Sequence, residues 1–165
     1  MPFTLFHLGP ALFFGILFLG VLNFPAFILG NVIVDIEPAI IMFSGLDIPL
    51  HGFFHSLIGG AIAAILLSIV IIVFKKQIKE FMRNFGIEQK FTKPRIFAGA
   101  IAGIWLHIFM DSLVYPYPVI NPIFPLQGNP FYVGMDLITM YLVCIAFFLA
   151  GIGLYAYKFQ IKKKK

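Results

Sequence analysis

No lysine or arginine occurs before Lys75. Up to that point the formal charges are Asp35, Glu37 and Asp47, set among long runs of aliphatic residues and phenylalanine. With 61% hydrophobic residues over 165 positions, the chain reads as a small integral membrane protein and not as a soluble domain. A bilayer-spanning helix needs about 20 apolar residues. Five runs approach that length, at 5–22, 25–44, 53–74, 96–114 and 134–157. The expected fold is therefore an all-α integral membrane protein with about five transmembrane helices in a single domain. Asp35, Glu37 and Pro38 interrupt the second run, which is expected to be broken or re-entrant. Irregular backbone at that depth is tolerated where protein or a wet cavity surrounds it.

No basic stretch precedes the first run and no small-residue cleavage site follows it, so the first span is expected to be retained. The single cysteine, Cys144, lies within the last run. It excludes a disulfide within the chain and a thiolate cluster, and reads as a packing residue.

All twelve basic residues fall in two segments. Lys75, Lys76, Lys79, Arg83, Lys90, Lys93 and Arg95 occupy the loop 75–95, and Lys158 and Lys162 to Lys165 form the tail 158–165. The positive-inside rule assigns both to the cytoplasm. Five spans then put the N-terminus outside, in the plasma or inner membrane. In the loop, Ile78, Phe81, Met82 and Phe85 share one helical face among the cations. That pattern suits the surface of an anionic leaflet and gives no reason to expect nucleic-acid binding.

The outer side then collects His7, Asp47, His51, His55, His107 and Asp111, with Asp35 and Glu37 at mid-span or in the outer half. Ionisable side chains inside a membrane are costly and mark function by default. Without Lys or Arg beside them, buried carboxylates must be protonated, solvated or bound to a cation. His51 and His55 stand four apart, as do His107 and Asp111; a helix that has begun by His51 places each pair on one face. Taken singly, His7 is equally an interfacial histidine, Asp47 a solvated loop residue, and the Asp35–Glu37 break a polar kink facing water. Taken together, imidazoles and carboxylates from four spans read as a site for a divalent transition metal, zinc first with manganese or iron as alternatives. Seven candidate ligands exceed the needs of one tetrahedral ion, so more than one ion is admissible.

The other features read as architecture. Gly99 and Gly103 form a small-residue packing motif, and the third run is rich in Gly and Ala. Asp136 suits the N-terminus of the last helix as a cap. The extracytoplasmic segment 115–133 carries Pro116, Pro118, Pro122, Pro125 and Pro130 among aromatics and cannot be a regular helix. It is read either as a lid over the site or as an aromatic belt loop.

The order of motifs is an early His7, then Asp35-Ile36-Glu37-Pro38, then His51-Gly52-Phe53-Phe54-His55-Ser56, then His107-Ile108-Phe109-Met110-Asp111 before a Pro-rich segment. This resembles the membrane-bound metal-dependent hydrolase family, which includes a LexA-regulated inner-membrane member. The family pattern has an early His, Pro-Asp-Ile-Asp-His, His-Arg-Gly-Phe-Thr-His-Ser and His-x-x-x-Asp. The resemblance covers residues 7 to 125 and implies metal-site roles for His7, Asp35, His55, His107 and Asp111. Glu37 stands where the family has Asp, and Pro38 where it has His. Leu50 takes the place of the family's first His, and His51 that of its Arg. His51 then either replaces the lost ligand or lies outside the coordination sphere.

Three readings follow. In the first, a bound metal activates water, Glu37 serves as general base, and the substrate is an ester or phosphoester of a lipid or lipid-linked molecule at the outer surface. In the second, the same residues form a cation or proton site on a transport path. Against it, the inner halves of the runs carry no ionisable relay, and inverted repeats are not evident. In the third, the metal only staples short spans together.

Overall fold

The structure is a computed structural model that describes residues 4–45 and 48–161. Asp47 and the lysines at 162–165 lie outside the described residues. Seven α-helices run in order: α1 (Thr4–Leu17), α2 (Phe24–Ile33), α3 (Ile36–Ser44), α4 (Leu57–Val73), α5 (Lys75–Asn84), α6 (Lys93–Val114) and α7 (Leu137–Tyr155). A 3₁₀ turn at Phe53–His55 precedes α4, and a π turn follows α7. No strand occurs among the described residues.

Among the described residues, three segments are long and apolar enough to cross a membrane: Phe24–Ser44, Lys93–Val114 and Leu137–Phe159. A fourth qualifies only if α4 and α5 count together, and these are bent by 80°. The expected break of the second span is slight: α2 and α3 are separated only by Val34 and Asp35, both with right-handed helical backbone, and together they make the one candidate span Phe24–Ser44. The first of the five expected spans is not among these candidates. α1 has fourteen residues and ends at Leu17, not at 22. Its cause is local. The next carbonyls leave the helical path and are captured by side chains: Gln89 Nε2 donates to Leu19 O at 2.8 Å and Leu22 O at 2.9 Å. Arg95 donates to Val21 O at 3.1 Å and to Leu19 O at 2.8 Å. Gln89 Oε1 in turn accepts from Phe24 N at 2.8 Å. Asn23 then starts α2, its side chain accepting from Ala26 N at 3.2 Å, with Pro25 in the first turn where no donor is lost.

The site is positioned chiefly by the packing of α2 and α4 on α6. Ala26, Val34, Ala64, Leu67, Ile96, Ala100, Ile104 and Ile108 make one buried core between these three helices. The glycine motif sets the distance. A Cβ at Gly103 would run into the carbonyl oxygen of Phe27, and one at Gly99 would lie 2.6 Å from that of Asn23. Backbones therefore touch, and the side chains beyond them are brought to bonding range. On the other side of α1, Gly9 packs against the carbonyl of Cys144, so that α7 closes over α1. Cys144 is buried with Met110 and Met140, the packing role expected of it.

α5 lies across the bundle end after its 80° bend. Met82 and Ile78 pack inward, while Phe81 and Phe85 remain exposed. The proline-rich segment after α6 is irregular, with cis peptides at Tyr117–Pro118 and Phe124–Pro125. It is tied to the ends of α4 and α6: Pro122 O accepts from Leu57 N at 2.8 Å, and Asn129 Nδ2 donates to Ser112 O and Tyr115 O at 2.8 and 2.7 Å. Asp136 caps α7, accepting from Thr139 N at 3.0 Å and from its hydroxyl at 2.6 Å.

Candidate metal centre

Four side chains converge from three distant parts of the chain. Asp35 comes from the break between α2 and α3, His55 from the 3₁₀ turn, and His107 and Asp111 from successive turns of α6. One donor atom from each lies within 4.8 Å of all the others, and all four residues are buried. His107 Nε2 stands 3.3 Å from Asp35 Oδ1 and 3.3 Å from Asp111 Oδ2. His55 Nε2 is 3.8 Å from Asp35 Oδ1.

The ring orientations are set from outside the cluster. His107 Nδ1 donates to the backbone carbonyl of Asn31 at 2.8 Å. His55 Nδ1 donates to Glu37 Oε2 at 3.1 Å. The Asn31 carbonyl can only accept, as can an ionised Glu37 carboxylate, so each Nδ1 donates and Nε2 is left facing the carboxylates, where it could offer a metal its lone pair. Each ring is thus held as metal-binding histidines usually are, with the distal nitrogen bonded to a carbonyl or carboxylate. Both Nε2 atoms are buried and make no hydrogen bond in proper geometry, although carboxylate oxygens stand at ion-pair distance.

This donor set fits a metal. Tetrahedral zinc with N and O ligands at about 2.0–2.1 Å has donor–donor edges of roughly 3.3–3.4 Å, and two of the contacts above have that length. Two imidazoles and two carboxylates also suit manganese or iron. Without a metal the same contacts would be imidazolium–carboxylate ion pairs, with the hydrogen bonds at His55 and His107 Nε2 in poor geometry; a metal would take up both Nε2 lone pairs.

His7 and His51 flank this group through Asp111. His7 Nε2 lies 3.3 Å from Asp111 Oδ1, and His51 Nε2 lies 3.5 Å from Oδ2. His7 is fully buried, and its ring stacks on that of His107 with centroids 4.3 Å apart. Neither of its nitrogens has a hydrogen-bond partner among the described residues. Asp111 therefore faces three imidazoles. All seven sequence-derived candidates (His7, Asp35, Glu37, His51, His55, His107 and Asp111) gather in one place, but their positions differ.

Glu37 lies outside the four-donor core, on the far nitrogen of His55. Its Oε1 accepts from Phe54 N at 3.3 Å while Oε2 holds His55. Gly52 makes that approach feasible, because a Cβ there would sit 2.5 Å from Glu37 Oε1. The helical spacing expected for His51 and His55 is absent. α4 begins only at Leu57, with Ser56 Oγ capping it through Gly59 N at 3.0 Å. The 3₁₀ turn, not a helix face, brings the two rings to 4.9 Å in an edge-on contact.

Two contributors escape the sequence reading. Asn31 donates from Nδ2 to Gly103 O at 3.1 Å while its own carbonyl orients His107, so it locks α2 to α6 at the site. Its signal is a lone amide in an apolar run, four residues before Asp35. Tyr115 lies four residues after Asp111, its ring 4.9 Å from that of His51. Its buried hydroxyl has no hydrogen-bond partner among the described residues. Burial, with Asp111 nearby, pushes this phenol above its ordinary pKa, so it keeps its proton. Compared with known protein families, with curated proteins and with solved structures, the chain matches none.

Proposed function

We propose that this protein is a multi-pass membrane hydrolase that depends on a divalent metal, of the kind its motifs resemble. It acts at the outer membrane surface on an ester or phosphoester of a lipid or lipid-linked substrate. The observation that carries this reading is the buried meeting of Asp35, His55, His107 and Asp111, with both Nε2 atoms aimed at carboxylates and held there through Nδ1. The orientation rests on charge. Every lysine and arginine lies at 75–95 or in the tail, which assigns that end to the cytoplasm and the cluster to the opposite side.

Asp35, His55, His107 and Asp111 would hold the ion, with His7 and His51 bracing Asp111 or holding a second one. When bound, a metal of this class supplies Lewis acidity that lowers the pKa of water and polarises the ester oxygen. The protein's own part is proton movement and exclusion of bulk water. Glu37 has 17% of its side chain exposed, against 8% for Asp35 and 2% for Asp111. It is the carboxylate best able to meet a substrate. In the proposed step Glu37 accepts a proton from the attacking water as its oxygen bonds to the phosphorus or carbonyl carbon. The bond to the alcohol breaks, and that proton passes to the departing oxygen.

Elemental analysis of the protein purified in detergent tests the reading, together with phosphate release from phosphatidic acid. About one or more metal ions per chain and chelator-sensitive release are expected. Protein that binds no stoichiometric metal overturns the proposal. Metal without turnover on ester or phosphoester lipids favours a transport or purely structural role.

A further inference from the structure

Beside the cluster, a groove of about 410 Å³ runs between α2–α3 and α4. Its size falls within the ~300–1,000 Å³ common for small-ligand sites. The walls are aliphatic, with Ile33, Ile40, Ala63 and Leu66 among them, and Phe54 beside Glu37. Among the described residues, Glu37 is the one ionisable side chain lining it. The groove is therefore continuous with the site through the same carboxylate that holds His55. Its rim is open and apolar: Ile36, Ile40 and Leu66 are 54, 60 and 55% exposed.

We infer that this groove receives one hydrocarbon chain of the lipid substrate, entering sideways from the bilayer and bringing the ester or phosphoester group to Glu37 and the metal centre. This rests on the hydrolase reading given above. The occupant follows from chemistry. An aliphatic trough whose rim is also aliphatic offers a polar ligand nothing to bond, except at Glu37. A hydrocarbon chain matches the apolar walls, and the polar group attached to it meets Glu37, the one polar wall residue among those described. Specificity would then require a chain-bearing substrate, with the headgroup positioned by the chain rather than by cationic side chains, which this end of the molecule lacks.

Two measurements test it. The first compares hydrolysis of phosphatidic acid with that of p-nitrophenyl phosphate, a phosphoester without a chain, in the wild type and in Leu66→Trp and Ala63→Trp. Leu66 is exposed, so its variant folds even if Ala63→Trp does not. The ratio of the two rates is expected to fall about tenfold or more when the groove is filled. The second needs no turnover. The metal-stripped protein is irradiated in phosphatidylcholine vesicles with a phosphatidic acid carrying a diazirine along one acyl chain. Label concentrated on the α3 and α4 peptides, and reduced in Leu66→Trp, is expected. A wild type active on both substrates, whose rate ratio survives both substitutions, overturns the groove and leaves the hydrolase reading standing. Label spread evenly over all exposed helices also overturns it. A wild type that hydrolyses neither substrate overturns the hydrolase reading itself.

Discussion

Arg95 and Asp111 stand about 24 Å apart along α6, and they mark two bundle ends built on different chemistry. Around Arg95, long polar side chains meet backbone carbonyls. Gln89, Arg95 and Lys158 donate to Ile16, Leu19, Val21 and Leu22, closing the turn that follows α1. Cations at a helix C-terminus also suit its dipole. Around Asp111, short and rigid side chains meet one another. Imidazoles and carboxylates approach to 3.3–3.8 Å, yet several of their nitrogens lack a proper hydrogen bond. Buried polar groups that serve only the fold are normally satisfied. The contrast teaches that the first end is a staple, and that the second is a donor cluster that could hold a metal ion.

If that contrast is real, substitutions at the two ends separate into two readouts. The largest effect is expected for His107→Gln, which keeps the bulk but removes the central lone pair. Metal content should drop to near zero by elemental analysis, and a retained stoichiometric ion would break the comparison. Glu37→Ala comes next. It frees His55 Nδ1 without touching the four donors, and metal affinity should weaken by about 10–100-fold in a competition titration. Unchanged affinity would show that the orientation of His55 does not matter.

At the other end, Gln89→Ala strands the Leu22 carbonyl and the Phe24 amide, while Arg95 still holds the Leu19 carbonyl. A loss of about 1–3 kcal/mol is expected in detergent unfolding, with metal content intact. A loss of metal instead would mean that the two ends are coupled. The smallest effect belongs to Asp136→Ala, at the cap of α7. The Thr139 hydroxyl and amide hold the Asp136 carboxyl below its ordinary value of 3.8. Its stabilisation is thus present above that value and is lost as pH falls through the lower, folded one. The variant should melt below the wild type at pH 7, and the difference should shrink in strong acid. A gap that widens in acid would contradict the sign.

Much of the site was legible because ionisable groups inside apolar runs are expensive. His7, Asp35, His107 and Asp111 stand out on that ground alone, and the structure brings them together. The small-residue motif at Gly99 and Gly103 likewise marks the surface that α2 uses. Three features were not legible. The His51–His55 spacing suggests a shared helix face, yet Ser56 starts the helix after both, and a cap is decided by one hydroxyl's contact with Gly59 N. Asn31 acts through its backbone carbonyl, which every residue possesses, so its identity carries little signal. The early end of α1 depends on Gln89 and Arg95, about 70 residues away in sequence.

By itself the sequence determined which segments are apolar, where the cations lie, and that histidines and acids occur where water is scarce. Those follow from composition and from the cost of moving charge out of water, and they need no knowledge of neighbours. The tertiary structure alone decided which nitrogen faces which oxygen, that Glu37 and Asn31 fix the two rings, and that a groove opens beside them. Helical periodicity relates residues within one element, whereas these contacts join α2, a 3₁₀ turn and α6, whose separation is set by backbones packed across glycine.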